Sequence, residues 1–118
     1  VNMREIKFRA FNTRIPFEGG RCKRMVYFGL TDLDEEFIIN RGTYLDEDAY
    51  LMQFTGMHDK NGKEIYEGDI MLRQANLRLE REYSVIKWDE ATIGFQGFPH
   101  GIQEVVGNIY ENPELLKT

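Results

Sequence analysis

Two acidic runs are the first residues of this sequence whose types and spacing could do chemistry. Residues 32–36 (DLDEE) and residues 46–48 (DED) supply carboxylate oxygens, which are the ligands that Ca²⁺ and Mg²⁺ prefer. A calcium loop that began at Asp32 would need Gly at its sixth position and Glu at its twelfth. Those positions hold Phe37 and Thr43. We therefore expect solvated acidic turns, and we predict no metal and no other cofactor.

The softer ligands and the nucleophiles are few and far apart. Cys22 is the single cysteine and His58 and His100 are the two histidines, so no closely spaced pair of zinc ligands exists. Basic neighbours could activate the Cys22 thiol, but no nucleophile motif surrounds it. A lone cysteine makes no internal disulfide, which favours a reducing compartment such as the cytoplasm. Because the sequence offers no catalytic constellation, we predict that the protein is not an enzyme.

Basic residues near the start of the chain form the one candidate binding surface. They alternate along a first strand, where an aromatic residue shares their face, and they recur on a second strand that returns beside it. Such a surface can follow a phosphate backbone and stack a base. The other interpretation is a charged edge hairpin that resists aggregation or docks on acidic residues. The candidate residues are Lys7, Arg9, Phe11, Arg21, Lys23 and Arg24.

Charge is distributed unevenly along the 118 residues. Residues 1–30 carry seven basic and two acidic side chains, a net charge of +5, whereas residues 31–70 carry three basic and eleven acidic ones, a net charge of −8. The acidic middle would repel DNA, but it could bind the basic hairpin of a second copy. Homo-oligomerisation is therefore favoured over binding to nucleic acid or to a host or phage protein.

Length and composition indicate one globular domain. A chain of 118 residues has the commonest domain size, and its 42% hydrophobic and 13% aromatic residues are enough for a packed core. No apolar run approaches the roughly 20 residues of a membrane-spanning helix, and the first residues lack the apolar part of a signal peptide. We predict a single domain over residues 1–118, in the cytoplasm and without a membrane partner.

Alternating apolar and polar residues predict short β-strands along most of the chain. In residues 4–11, Ile6, Phe8 and Ala10 share one face. Residues 23–28 predict the returning strand of an N-terminal β-hairpin. Further strands are predicted over residues 49–55, 70–73, 83–88, 93–98 and 102–110. Short strands separated by turns, with no long helix, predict a mainly-β (β-dominated α+β) fold built as a small barrel or roll.

Turn signals are sharpest in the middle of the chain. Asn61-Gly62 lies between apolar segments and predicts a type I′ turn, which needs positive φ at both central residues. Residues 66–69 (YEGD) predict a second turn. We expect a structural role there, in which Gly68 supplies an unusual backbone angle and Asp69 bonds local amides.

Two segments are predicted to be other than strand. Residues 12–22 contain Pro16 and Gly19-Gly20 and therefore predict a loop. Residues 112–116 (NPELL) fit a short terminal helix, with Asn at the N-cap and Pro at the first helical position.

Several blocks of the sequence resemble the YopX family of phage and prophage proteins. They occur in the family's order and span nearly the whole chain; the segment DKNGKEIYEGDI is the most specific. The long loop of residues 12–22 departs from the family pattern, as does Phe11-Asn12, where a Trp-Asp pair is common. The blocks are residues 3–11 (MREIKFRAF), 23–28 (KRMVYF), 51–56 (LMQFTG), 59–70 (DKNGKEIYEGDI) and 107–116 (GNIYENPELL).

The resemblance implies a fold and an origin and implies no activity. It implies an SH3-like small barrel over residues 49–118, joined to an N-terminal hairpin and acidic segment over residues 1–48. It also implies a phage or prophage gene and action in the bacterial host cytoplasm. Since the family supplies no catalytic residues, we expect a non-enzymatic binding or assembly module. The alternative is a nucleic-acid-binding small barrel that uses the basic hairpin.

Overall fold

The structure, a computed structural model, describes residues 5–13, 25–29, 49–75, 80–98 and 103–117. They belong to two compact units, Val1–Phe54 and Thr55–Thr118. Both acidic runs, Cys22, His100 and most of the predicted loop of residues 12–22 lie outside the described residues. The single domain over residues 1–118, divided into residues 1–48 and 49–118, stays a prediction.

The first unit contains an antiparallel sheet in which β1 is the middle strand. β1 is Lys7–Phe11, β2 is Met25–Gly29, and β3 is Tyr50–His58, which continues into the second unit. One edge of β1 pairs with β2, with Phe8 opposite Phe28, and its other edge pairs with β3. The predicted N-terminal hairpin and the predicted strand over residues 49–55 are confirmed.

The core of the first unit forms on one face of this sheet. Ala10, Val26 and Phe28 are buried there, and the rings of Phe8 and Phe28 stack with their centroids 5.9 Å apart. Phe8 and Ala10 are two residues apart on β1 and therefore point to the same side. They lie opposite Phe28 and Val26 on β2, so all four side chains share a face. The predicted apolar face is confirmed for Phe8 and Ala10, whereas Ile6 lies before β1 and is exposed.

The second unit holds the later strands and one short helix. Its strands are β4 (Glu64–Tyr66), β5 (Asp69–Ala75), β6 (Glu80–Val85), β7 (Lys87–Asp89), β8 (Gly94–Gln96) and β9 (Gln103–Asn108). β4 pairs with β3, β5 lies between β6 and β9 in a three-stranded antiparallel sheet, and β7 pairs with β8. A 3-10 helix, Pro113–Leu116, follows β9 where the short terminal helix is predicted.

The core of the second unit gathers side chains from several of these strands. Ile65, Met71 and Ile86 are fully buried, and three partly buried residues pack against them. Those three are Phe95, Phe98 and Val105. Because Phe95 lies on β8, the small β7–β8 hairpin is anchored by its inner aromatic residue. Burial of these side chains supplies the main stabilisation of the unit.

The mainly-β prediction is confirmed, while the barrel is not. In the part of the chain that the structure describes, the strands pair into separate sheets that do not close into a barrel. The SH3-like small barrel is therefore not confirmed. Among these same residues, no helix is long and apolar enough to cross a membrane.

Candidate functional site

The basic face of β1 is buried at its centre. Arg9 is 3% exposed, and its Nε–H donates to Met52 Sδ at 3.4 Å. The two residues lie opposite each other on β1 and β3. Burying a guanidinium is costly unless hydrogen bonds replace the water that it loses, and the contact with Met52 is one such bond. The Arg9 side chain is therefore buried in the first unit, and its part in the candidate binding surface stays a prediction.

Lys7 and Phe11 share this face with Arg9 and are half-buried. Lys7 Nζ lies 5.4 Å from the centroid of the Phe54 ring and 3.1 Å from Glu5 Oε1. The ammonium group is therefore within cation–π distance of one side chain and paired with another. Arg21, Lys23 and Arg24 lie outside the described residues. The nucleic-acid surface that these residues would form stays a prediction.

Buried carboxylates in the second unit bind backbone amides. Asp69 is 1% exposed and its Oδ2 accepts the Tyr66 N–H at 2.7 Å. Among the described residues, no group of three or more His, Cys, Asp and Glu could hold a metal ion. The carboxylates that the fold encloses thus have a structural use.

Gly68, in the turn over residues 66–69, joins two distant parts of the second unit. It has φ +87, and its N–H donates to the Ile86 carbonyl at 2.7 Å. Its own carbonyl accepts the Ile109 N–H at 3.0 Å. A left-handed backbone favours glycine at this position. The predicted structural role of the YEGD turn is confirmed, including the hydrogen bond that the Asp69 side chain accepts from a backbone amide.

The GNIYENP segment is also a structural turn. Asn108 Oδ1 accepts the Tyr110 N–H at 3.1 Å and the Glu111 N–H at 2.8 Å, and Asn108 is buried. Asn112 Oδ1 accepts the Asn108 N–H at 3.2 Å. Because its side chain is used there, Asn112 makes no side-chain cap bond to the 3-10 helix that follows. The predicted cap position is confirmed, without the side-chain hydrogen bond that an N-cap residue usually makes.

Asp59 organises the turn between β3 and β4. Its Oδ1 accepts the N–H groups of Asn61 (2.8 Å) and Lys63 (2.9 Å), and its Oδ2 accepts that of Val105 (2.9 Å) on β9. Burial raises the pKa of the Asp59 carboxyl, but these three donors and the nearby Lys63 charge outweigh it and hold the pKa below its ordinary value. The carboxylate therefore fastens the turn to the edge of the three-stranded sheet.

This turn differs from the predicted type I′ turn. Gly62 has φ +81 and donates its N–H to the Asp59 carbonyl at 3.0 Å, whereas Asn61 does not have positive φ. A type I′ turn needs positive φ at both central residues, so that prediction is wrong. Asp59 donates its N–H to the Lys63 carbonyl, so the loop between them has three residues, and the last of these, Gly62, has the left-handed conformation. Asp at the first position and Gly at the fourth are the preferences of a type I turn.

The β7–β8 hairpin begins with a similar Asp contact, but its loop has four residues, 90–93, between the paired Asp89 and Gly94. Asp89 Oδ1 accepts the Ala91 N–H at 3.0 Å, as Asp59 Oδ1 accepts that of Asn61. The left-handed position that closes the turn is occupied by Ile93, with φ +51 and a side chain that is 79% exposed. A β-branched residue at positive φ is an outlier that costs on the order of 1–3 kcal/mol.

Trp88 stands beside this tip on the same hairpin. It lies opposite Phe95, and the two rings meet edge to face with their centroids 5.2 Å apart. Phe95 packs into the core, whereas Trp88 is 45% exposed. The hairpin thus presents an aromatic and an aliphatic side chain on a support anchored by Phe95. Sequence analysis missed Ile93, because Asp89 and the turn after it carried no sign that this residue takes positive φ.

Comparison with known proteins agrees with this fold. The model of the family described as YopX protein matches residues 7–117. The crystal structure of protein EF1440 from Enterococcus faecalis is similar to this chain, with a TM-score of 0.58 and 24% identity over 95% of this chain and 98% of that one. At this identity the likeness shows the fold alone. No curated protein matches the chain. Since the family match runs from the start of β1 to the residue after the 3-10 helix, the chain belongs to the YopX protein family.

Proposed function

We propose that this chain is a non-enzymatic binding or assembly protein, carried by a bacteriophage or prophage and acting in the cytoplasm of the bacterial host. The family resemblance supports the phage origin. The polar groups buried in the second unit support a binding role over catalysis, since they bond turns and strands to one another. The single observation that carries the proposal is the exposed, backbone-strained Ile93 at the tip of the β7–β8 hairpin.

Ile93 has a positive φ that glycines alone share with it among the described residues. In the β3–β4 turn the left-handed residue is Gly62, which takes that conformation without steric cost. In the β7–β8 turn it is a β-branched residue whose side chain points into solvent and gains little from burial in the free protein. Strain of this kind clusters at sites that act on other molecules. A protein partner with an apolar pocket would bury this side chain.

Trp88 gives the same hairpin a second exposed apolar side chain. Tryptophan is enriched among the residues that dominate binding energy at protein interfaces. The edge-to-face packing on Phe95 restricts its ring, so that less conformational entropy is lost when a partner covers it. Ile93 and Trp88 together would provide an aliphatic and an aromatic anchor on one rigid hairpin.

Affinity capture from infected or lysogen-induced host cells tests this function. We expect the wild-type chain and Ala91→Asn, a change in the same turn at ordinary φ, to retain the same partner protein. Ile93→Asn keeps a residue that tolerates the left-handed backbone but removes the apolar side chain, and we expect it to lose that partner. Equal capture by all three chains would overturn the hairpin as the binding surface. Capture that nuclease treatment abolishes would favour the nucleic-acid alternative.

The SH3-like small barrel is part of the same proposal. Two backbone hydrogen bonds tie the β4–β5 turn to the chain between β6 and β7: Gly68 N–H to Ile86 carbonyl at 2.7 Å, and Ile86 N–H to Asp69 carbonyl at 3.0 Å. They hold the three-stranded sheet to the start of the β7–β8 hairpin, as closure of a barrel would require. An experimental structure in which these sheets stay open throughout the chain would reject the barrel.

A further inference from the structure

β6 is an outer strand of the three-stranded sheet, and its outer edge differs from that of β9. The β9 edge is covered by the β3–β4 turn: Lys60 N–H donates to the Gln103 carbonyl at 3.2 Å, and Val105 N–H donates to Asp59 Oδ2 at 2.9 Å. At β6, Gly97 lies against the Val85 carbonyl and covers one end. The rest of the β6 edge has no hydrogen-bonded neighbour strand among the described residues.

The ladder itself shows which β6 residues point outward. Gln103 and Val105 direct their backbone groups to the turn, so Arg73 and Met71, which lie opposite them on β5, direct theirs to β6. Their β6 partners are Glu82 and Ser84. Backbone groups alternate along an antiparallel strand, so Arg81, Tyr83 and Val85 direct theirs away from β5.

We propose that a second copy of this chain pairs with the β6 edge, antiparallel and about a two-fold axis at Glu82. Arg81 then exchanges both backbone hydrogen bonds with Tyr83 of the second copy, and Tyr83 does so with Arg81 of the second copy. The two three-stranded sheets become one continuous six-stranded sheet. Such edge pairing is the usual way in which an uncovered strand recruits another chain. The inference rests on the proposed assembly role and adds to it a self-association surface that is separate from the Ile93 hairpin.

Side-chain chemistry selects this register over its neighbours. An axis at Tyr83 or at Ser84 would need the outward groups of Val85, where Gly97 already lies. An axis at Arg81 would place two guanidinium groups opposite each other, and among the described residues it would pair no outward residue other than Arg81 itself, whereas the axis at Glu82 pairs both Arg81 and Tyr83. With the axis at Glu82, each Arg81 lies beside the ring of a Tyr83 that is 38% exposed in the single chain, in reach of a cation–π contact.

The same axis sets two Glu82 side chains opposite each other. Each carboxylate lies near a cation of its own chain, because Arg73 Nη1 is 3.5 Å from Glu82 Oε2. Across the paired strands the order is therefore Arg73, Glu82, Glu82 of the second copy and Arg73 of the second copy, so each carboxylate has a cation on its outer side. The remaining repulsion between the two carboxylates makes Glu82 a sensitive reporter of the register, because no other axis brings these two side chains together.

Sedimentation equilibrium over a wide range of protein concentration tests the pairing. We expect the wild-type chain to form dimers and Tyr83→Pro to remain monomeric, since proline removes the outward N–H and leaves the bonds to β5 intact. Tyr83→Val is the matched control that keeps the N–H; it should still dimerise, several-fold more weakly, for want of the ring. Trp88 fluorescence confirms that each variant is folded.

Glu82→Gln tests the register separately. Removing the repulsion between the facing carboxylates should tighten the dimer by up to about fivefold. A wild-type chain that is monomeric at every concentration, a Tyr83→Pro variant that dimerises like wild type, or a Glu82→Gln variant that dimerises more weakly would each overturn the inference. Partner capture that depends on Ile93 and survives Tyr83→Pro would leave the proposed function standing when the dimer fails.

Discussion

The Asp59 carboxylate accepts backbone N–H groups from the middle and the far end of one turn and from β9. We predict that Asp59→Asn lowers the free energy of unfolding by about 2 kcal/mol, because an amide has one acceptor oxygen and no charge to serve three donors. Urea denaturation measures the change. Asp89→Asn is the matched control on an exposed turn and should cost less than about 0.5 kcal/mol. Equal effects of the two substitutions would contradict this role of Asp59.

The same carboxylate makes stability depend on pH in a defined direction. The pKa of Asp59 is lower in the folded protein than its ordinary value of 3.8, so the folded state holds the charged form more tightly than the unfolded state does. Its contribution is therefore present above pH 3.8 and is lost as the pH falls through the folded pKa. We predict that wild type and Asp59→Asn differ in unfolding free energy at neutral pH and converge below pH 3.8. A difference that stays constant into this acid range would contradict the lowered pKa.

Ile93 carries a backbone cost that another residue would relieve. Asparagine tolerates the left-handed conformation, so we predict that Ile93→Asn raises the free energy of unfolding by about 0.5–1 kcal/mol, despite the loss of an apolar side chain that is already 79% exposed. Thermal or urea unfolding checks the gain. Ala91→Asn, in the same turn and not at positive φ, should give none. A loss of stability in Ile93→Asn would show that the free protein itself uses the isoleucine.

Single-residue environments were the hardest part to predict from the sequence. Alternation along β1 correctly groups Lys7, Arg9 and Phe11 on one face, but alternation alone does not say whether a face meets solvent. Met52, which lies opposite Arg9, comes from a strand more than 40 positions away in the chain. Ile93 was missed for a related reason, because its φ is set by the closure of a hairpin between two short strands.

At the scale of elements, two glycines with positive φ distinguish backbone strain from steric overlap as the cost of adding a side chain. Gly97 has φ +107, and a Cβ atom there would overlap the Val85 carbonyl, whereas a Cβ atom at Gly62, with φ +81, would meet nothing within 4 Å. We predict that Gly62→Ala costs about 1 kcal/mol, from the backbone alone, and that Gly97→Ala costs about 3 kcal/mol, from backbone and overlap together. Gly94→Ala, at ordinary φ and with its Cβ in ordinary contact with the Thr92 carbonyl at 3.9 Å, is the control and should cost little. Comparable losses at positions 62 and 97 would contradict the close approach of Gly97 to β6.

Turns were located well from the sequence, and their internal hydrogen bonds less well. Asn61-Gly62 correctly marks the β3–β4 turn, yet the Asp59 side chain favours the three-residue form over a type I′ turn. Asn112 correctly precedes the last helix, but its amide is used by Asn108. In both cases a polar side chain could bond either of two nearby amides. The choice depends on where the next strand lies, which local sequence does not show.

For the whole molecule, periodicity and turn signals were enough to predict the fold class and most strands. They were not enough to predict which strands pair. β3 lies beside β1, which precedes β2 in the chain, and β9 lies beside β5 rather than beside β8. These pairings join residues far apart in sequence and depend on the packing of both faces, so short alternating patterns cannot specify them. The predicted barrel depends on such pairings between strands, and it was not confirmed for this reason.

Division into two compact units raises the question of whether they unfold together. β3 begins in the first unit, where Met52 and Phe54 are buried, and continues into the second, where Thr55 Oγ1 donates to the Ile65 carbonyl at 2.7 Å. A strand that is frayed in one unit loses its alignment in the other, since the backbone is continuous. We therefore expect a single cooperative transition.

Val26→Ala, in the core of the first unit, tests this cooperativity. The loss of two methyl groups and the resulting cavity should lower the free energy of unfolding by about 2 kcal/mol. Trp88, the single tryptophan, reports on the second unit by fluorescence, and far-ultraviolet circular dichroism reports on all strands. We predict that both midpoints fall by the same amount in urea. Ile65→Val, in the core of the second unit, is the reciprocal control and should lower both by the equivalent of about 1 kcal/mol. An unchanged Trp88 midpoint in Val26→Ala, beside an earlier dichroism transition, would mean that the two units unfold independently and that β3 does not couple them.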